Sequence, residues 1–174
     1  MINYEIEDSP FFEENKNYLE SFLNNCSDYN PESSGNCNSF GFDVEIKFSK
    51  NQEQYVLNLK KKQSTQNGIL IPVNAGNNFE NKIGVINFPS DKKVTVSKSS
   101  LKRFLMSNKL KDRFPAPYFV ELSEENIADD LSALITKFDI DELEITNRKL
   151  KLKTFKKIEN LDVIDEIVKT LTTG

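Results

Sequence analysis

Phe42-Asp-Val-Glu-Ile-Lys-Phe48 alternates apolar and polar side chains without a break. Residues two apart on a strand share a face, so Phe42, Val44, Ile46 and Phe48 form one apolar side, and Asp43, Glu45 and Lys47 the other. A strand so patterned buries one face and wets its opposite, the habit of antiparallel sheets. Tyr55, Leu57 and Leu59 repeat the alternation, and Ser49 to Gln54 reads as the hairpin turn between the two strands.

Downstream, Ile69 to Val73 and Ile83 to Phe88 are short apolar runs that read as more buried strands, with Asn74-Ala-Gly-Asn-Asn78 as the turn between them. Val94 to Val96 makes a further short strand. A helix is predicted from about Ser99 to Lys109 with Leu101, Phe104 and Leu105 inward. Phe114-Pro-Ala-Pro117 then breaks the chain, as a rigid loop or an extended segment offered to a partner, and Tyr118 to Leu122 resumes as a strand. Ser123 is the expected cap of a helix reaching about Lys137, with Ile127, Leu131, Leu134 and Ile135 buried. Leu143 with Ile145 and Leu150 with Leu152 mark two strands joined by a turn at Thr146-Asn-Arg-Lys149. Asn160 is the expected cap of a last helix whose inward side is Ile164, Ile167, Val168 and Leu171.

Upstream, Ser9 and Pro10 suit the cap and first turn of a helix from about Ser9 to Asn25, with Tyr18, Leu19, Phe22 and Leu23 in its apolar stripe. Cys26 to Ser39, dense in Asn, Ser, Pro and Gly, reads as a loop. Hairpins outnumber strand-helix-strand crossovers. The expected fold is therefore α+β, a mainly antiparallel curved sheet with helices on one face. At 174 residues the expectation is a single domain spanning 1–174, with the helix at about 9–25 as a candidate appendage.

Composition excludes whole classes of chemistry. Histidine is absent, so no Ser-His-Asp triad, Cys-His pair, imidazole proton shuttle or His-ligated zinc can form. Cys26 and Cys37 are too few for a four-thiolate zinc site and read as reduced thiols in preference to a short-loop disulfide. No membrane-length apolar run occurs, and the acidic start MINYEIEDSPFF lacks the basic and apolar regions of a signal peptide, so a cytoplasmic location is expected. The 20 Asn residues are scattered and so do not form a prion-like tract.

The net charge of -4 conceals segregation. Residues 1–45 hold ten acids and one Lys, and residues 114–147 hold nine acids and one Lys. Between them, residues 46–113 hold fourteen bases and four acids. Within that block Lys98, Lys102, Arg103 and Lys109 are the candidate binding residues for an acidic partner or phosphates. The competing reading is that the acidic segments fold against this block. An isoelectric point near 5.1 disfavours a nucleic-acid module.

Asp43, Glu45 and Lys47 place two carboxylates and an amine on one strand face, with Asp28 upstream. This Asp, Glu-x-Lys arrangement resembles the core of the PD-(D/E)xK nucleases. The resemblance implies carboxylates holding Mg²⁺ and the Lys orienting a water. The helix that follows in that family is replaced here by a partner strand, and the simpler reading is a solvated strand face. Asp139, Asp141, Glu142 and Glu144 could cluster around Ca²⁺ but lack the glycine and spacing of an EF-hand loop. No cofactor is expected.

The leading expectation is thus a non-catalytic cytoplasmic protein–protein interaction module of adaptor, regulatory or immunity type, acting through a charged face or a sheet edge. A metal-dependent nuclease is the alternative, and nucleic-acid binding through the basic segment 46–113 comes third.

Overall fold

The computed structural model describes residues 2–3, 10–38, 41–50, 53–62, 64–66, 69–71 and 80–172. The fold is α+β with mainly antiparallel strand pairing. The chain divides into two compact units, one formed by 1–83 with 155–160 and the other by 84–154 with 161–174.

In the first unit a short strand β1 (Ile2–Asn3) runs parallel to β2 (Glu32–Asn38), and β2, β3 (Gly41–Lys50) and β4 (Glu53–Lys62) form an antiparallel meander. The alternating stretch behaves as its pattern demands. Val44, Ile46 and Phe48 are buried and pair with Leu59, Leu57 and Tyr55, which are buried too. The strands run further than the hairpin reading allowed: Ser49 pairs opposite Gln54 and Lys50 opposite Glu53, so these residues belong to the strands; residues 51–52 lie outside the described residues.

Helix α1 (Pro10–Asn25) packs its stripe into this unit. Leu19 and Phe22 are buried, and Phe22 meets Phe48 edge-on at 6.1 Å. The expected cap, Ser9, lies outside the described residues. The returning segment 155–160 is held by its backbone: the Tyr18 hydroxyl donates to the Ile158 carbonyl at 2.7 Å, Asn25 to that of Glu159 at 3.0 Å, and Asn81 to that of Lys156. A small hairpin pairs β5 (Ser64–Gln66) with β6 (Ile69–Ile71); the rest of the run to Val73 and the turn at 74–78 lie outside the described residues.

A second expectation fails in this unit. The presumed loop Cys26 to Ser39 is a short 3-10 turn, Ser27–Tyr29, followed by β2. Ser, Asn and Gly have poor strand propensity, but pairing is a backbone matter, and β3 offers a second row of donors and acceptors. Glu32 pairs opposite Lys47 and the register holds to Asn38 opposite Gly41. Gly35 has a steric role there: a Cβ would overlap the Asp43 carbonyl and sit 2.7 Å from the Val44 Cα. Cys26 is buried, and the side chain of Cys37 lies outside the described residues.

Strand β7 (Glu80–Ile86) carries the chain into the second unit. There β8 (Val94–Lys98), β9 (Tyr118–Leu122), β10 (Glu142–Thr146) and β11 (Lys149–Thr154) lie in the order β11-β10-β8-β9, antiparallel throughout. Leu143 sits opposite both Leu152 and Val96, and Ile145 opposite both Leu150 and Val94, all buried, so one face is a continuous apolar layer. The β10–β11 hairpin turns at Asn147 and Arg148, both at positive φ (51° and 56°), as a tight hairpin requires.

Helix α4 (Ala128–Phe138) buries Leu131, Leu134 and Ile135 as expected, and α5 (Asp162–Thr172) buries Val163, Ile164, Ile167 and Leu171. Val163 is buried on the inward side of α5, while Val168 is only half-buried at its margin. Ser123 does not cap α4. Its hydroxyl accepts from the Lys93 amide at 3.0 Å, and a 3-10 turn, Glu125–Ile127, precedes the helix.

Candidate functional site

The largest departure from expectation lies between β8 and β9. Instead of one helix from Ser99 to Lys109 there are two short ones, α2 (Ser100–Arg103) and α3 (Asn108–Arg113). Ser99 caps the first by accepting from the Lys102 amide, and Ser107 caps the second by accepting from the Leu110 amide, both at 3.3 Å. A second capping serine inside the stretch restarts the helix and changes which side chains face in. Met106, Leu110 and Phe114, spaced by four, are buried. Leu101, Phe104 and Leu105, expected inward, are 80%, 69% and 68% exposed. The segment carries two apolar stripes and only one finds the core. The spacing of Met106, Leu110 and Phe114 together with Ser107 is the signal that could have revealed this.

The turn bearing the exposed stripe is firmly held. The Arg103 guanidinium donates from Nη2 to the carbonyls of Lys111 and Phe114 at 2.8 Å each, and from Nη1 to those of Pro115 at 3.0 Å and Tyr118 at 2.8 Å. Two of these acceptors lie at the C-terminal end of α3, where a cation is electrostatically favoured. Lys111 Nζ adds a bond to the Phe104 carbonyl at 3.2 Å. The same segment covers the outer rim of β9, which pairs with β8 alone among the described strands. Tyr118 gives its outward carbonyl to Arg103, and Val120 donates its outward amide to the Met106 sulfur at 3.3 Å. A covered rim is a poor template for strand addition.

The four candidate binding residues therefore separate. Arg103 is spent on backbone carbonyls. Lys98 Nζ lies 2.8 Å from Asp139 and 2.9 Å from Asp141. Burial alone would depress the Lys98 pKa, but the hydrogen bonds to Asp139 and Asp141 outweigh it and hold the ammonium above its ordinary value. This pairing also disposes of the calcium cluster: Lys98 stands where a cation would, and Glu142 and Glu144 face Lys153 and Lys151 at 3.9 and 3.6 Å. Lys102 and Lys109 remain exposed, and neither enters an ion pair with any described residue.

Much of the basic block meets the acidic segments. Lys60 pairs with Asp43 at 3.1 Å, Lys92 with Glu124 at 3.3 Å and Arg113 with Asp129 at 2.7 Å. The Arg113 bond holds the Asp129 carboxyl below its usual range. Lys102 and Lys109 are a local remainder of positive charge, and they flank the exposed apolar turn.

Asp43, Glu45 and Lys47 do share the outward face of β3. Glu45 lies 3.4 Å from Lys47, and Asp43 points its charge to Lys60. Asp28 sits apart, exposed in the 3-10 turn. Among the described residues, no group of three or more Cys, Asp and Glu side chains gathers as metal ligands would. No described helix is long and apolar enough to cross a membrane. Comparison with known proteins finds no matching family model, no similar curated protein and no similar solved structure.

Proposed function

We propose that this chain is a non-catalytic cytoplasmic protein–protein interaction module that docks through the α2–α3 segment. Leu101, Phe104 and Leu105 are its apolar anchors, and Lys102 and Lys109 its flanking charges. The observation that carries the reading is the exposure of three large apolar side chains within five residues of α2 and the turn after it, on a segment otherwise tied down by Arg103. Scattered exposed apolar residues are ordinary; a cluster rimmed by charge marks a contact.

Magnitudes set the extent of the contact. Burying the exposed parts of these three side chains contributes roughly 4–6 kcal/mol. Association itself opposes binding by a comparable or larger amount. The anchors are therefore the centre of a wider interface, with the lysines in its rim adding attraction and orientation more than affinity.

Quantitative affinity isolation tests the reading, comparing wild type with the combined variant Leu101→Ser, Phe104→Ser and Leu105→Ser. A protein retained by wild type and lost with the variant, at an unchanged unfolding midpoint, is the expected result. Identical sets of retained proteins would refute it.

A further inference from the structure

The shape of the exposed turn restricts what can cover it, and this inference rests on the interaction reading above. Leu101 lies in α2, Phe104 is its C-cap with helical dihedrals, and Leu105 follows in the turn with its amide on the Lys102 carbonyl at 2.9 Å, so the three keep the one, four, five spacing of a helical turn. Each is more than two-thirds exposed. They form an exposed apolar knob, and a concave partner that surrounds it removes more of its surface from water than a flat one does. Recognition of a helical turn through these spacings is the mode in which an amphipathic helix enters an apolar groove. The knob is also rigid before it binds: Ser99 and Ser107 cap the two helices and Arg103 ties the turn to four carbonyls. Little ordering is left for the moment of contact.

Charge defines the rim. Lys102 lies in the knob's own helix, and Lys109 in the first turn of the next. Asp112 is the one acid of the α2–α3 segment, against Lys102, Arg103, Lys109, Lys111 and Arg113, so the segment keeps a net positive charge. We propose that the partner is a folded protein presenting an apolar groove bordered by Asp or Glu side chains, and that this knob inserts into it preformed.

Photo-crosslinking identifies the occupant directly. The full chain is expressed in its own cells with p-benzoylphenylalanine replacing Phe104, and in a parallel experiment Leu105; both sites are exposed and folding is checked by the unfolding midpoint. The expected result is a protein adduct whose crosslinked residues line an apolar groove flanked by carboxylates. The purified partner should then bind at least tenfold more weakly to Phe104→Ala. Its affinity should fall with added salt for wild type and less steeply for Lys102→Gln with Lys109→Gln. A protein adduct on a flat or basic surface, or on a second copy of this chain, overturns the groove while leaving the interaction reading in place. Adducts to lipid or nucleic acid, or none to protein, overturn both.

Discussion

Arg103 donates from Nη1 to the backbone carbonyl of Tyr118 at 2.8 Å, joining the exposed apolar turn to the outer rim of β9. The carbonyl belongs to an edge strand and would otherwise face water or another chain. One side chain thus quiets an edge and fixes the knob beside it. Its other three bonds, to Lys111, Phe114 and Pro115, close the α3 segment around the same guanidinium.

Replacing Arg103 tests that arrangement. Arg103→Met removes a donor from four carbonyls, of which Pro115 keeps the Tyr118 amide at 3.1 Å, and with partial rehydration the loss is about 2–4 kcal/mol. Arg103→Lys recovers only part, because an ammonium cannot reproduce the planar fork. Urea denaturation reads both; a loss below about 0.5 kcal/mol for the Met variant would show the network to be idle.

The exposed stripe and the buried one should respond oppositely. Leu101→Ser and Phe104→Ser change stability by no more than about 0.5 kcal/mol, since their side chains are already in water. Leu131→Ala, at a fully buried position of α4, costs about 2–5 kcal/mol. Comparable destabilisation by all three would mean that the stripe is covered.

Gly35→Ala should destabilise the β2–β3 pair. The added methyl would overlap the Asp43 carbonyl and lie 2.7 Å from the Val44 Cα, so the strands must part locally, at a cost of about 1–3 kcal/mol. Hydrogen exchange at the β2 and β3 amides locates the effect. Unchanged protection there would contradict the register.

The pH dependence has two parts. With no histidine in the chain, no side chain of ordinary pKa near 6.5 changes charge between about pH 6 and 8, and stability there should be nearly flat. Lys98 acts at the alkaline end. Its pKa is raised in the folded chain, so its contribution is complete below the ordinary lysine value near 10.4 and is lost as pH rises through the raised value. Burial raises Tyr18 and Tyr118 in the same sense. The stability difference between wild type and Lys98→Met should shrink above about pH 10.5 in denaturant titrations. A constant difference would place the Lys98 contribution outside its ion pairs.

The readable parts of this chain are those whose information is local. The Leu143 to Leu152 hairpin announced itself because alternation and an Asn-Arg turn lie within a few residues of one another. The strand at Glu32–Asn38 did not, because its residues disfavour strands and its stability comes from a partner strand. The exposed turn was illegible for another reason. Leu101, Phe104 and Leu105 and the set Met106, Leu110 and Phe114 are both helical stripes, and periodicity alone cannot rank them. Lys98 and Arg103 looked as available as Lys102 and Lys109, since a sequence shows charges but not their partners.

By itself the sequence settled that imidazole chemistry is impossible, and that alternating strands with one apolar side pair mainly antiparallel. Those follow from residue identity and from the two-residue period of an extended chain, which no packing can alter. Tertiary structure decided which apolar stripe reached the interior, which lysines kept their charge for the surface, and which backbone edge was closed. Each of those depends on distances between residues far apart along the chain, and such distances exist only once the strands and helices have met.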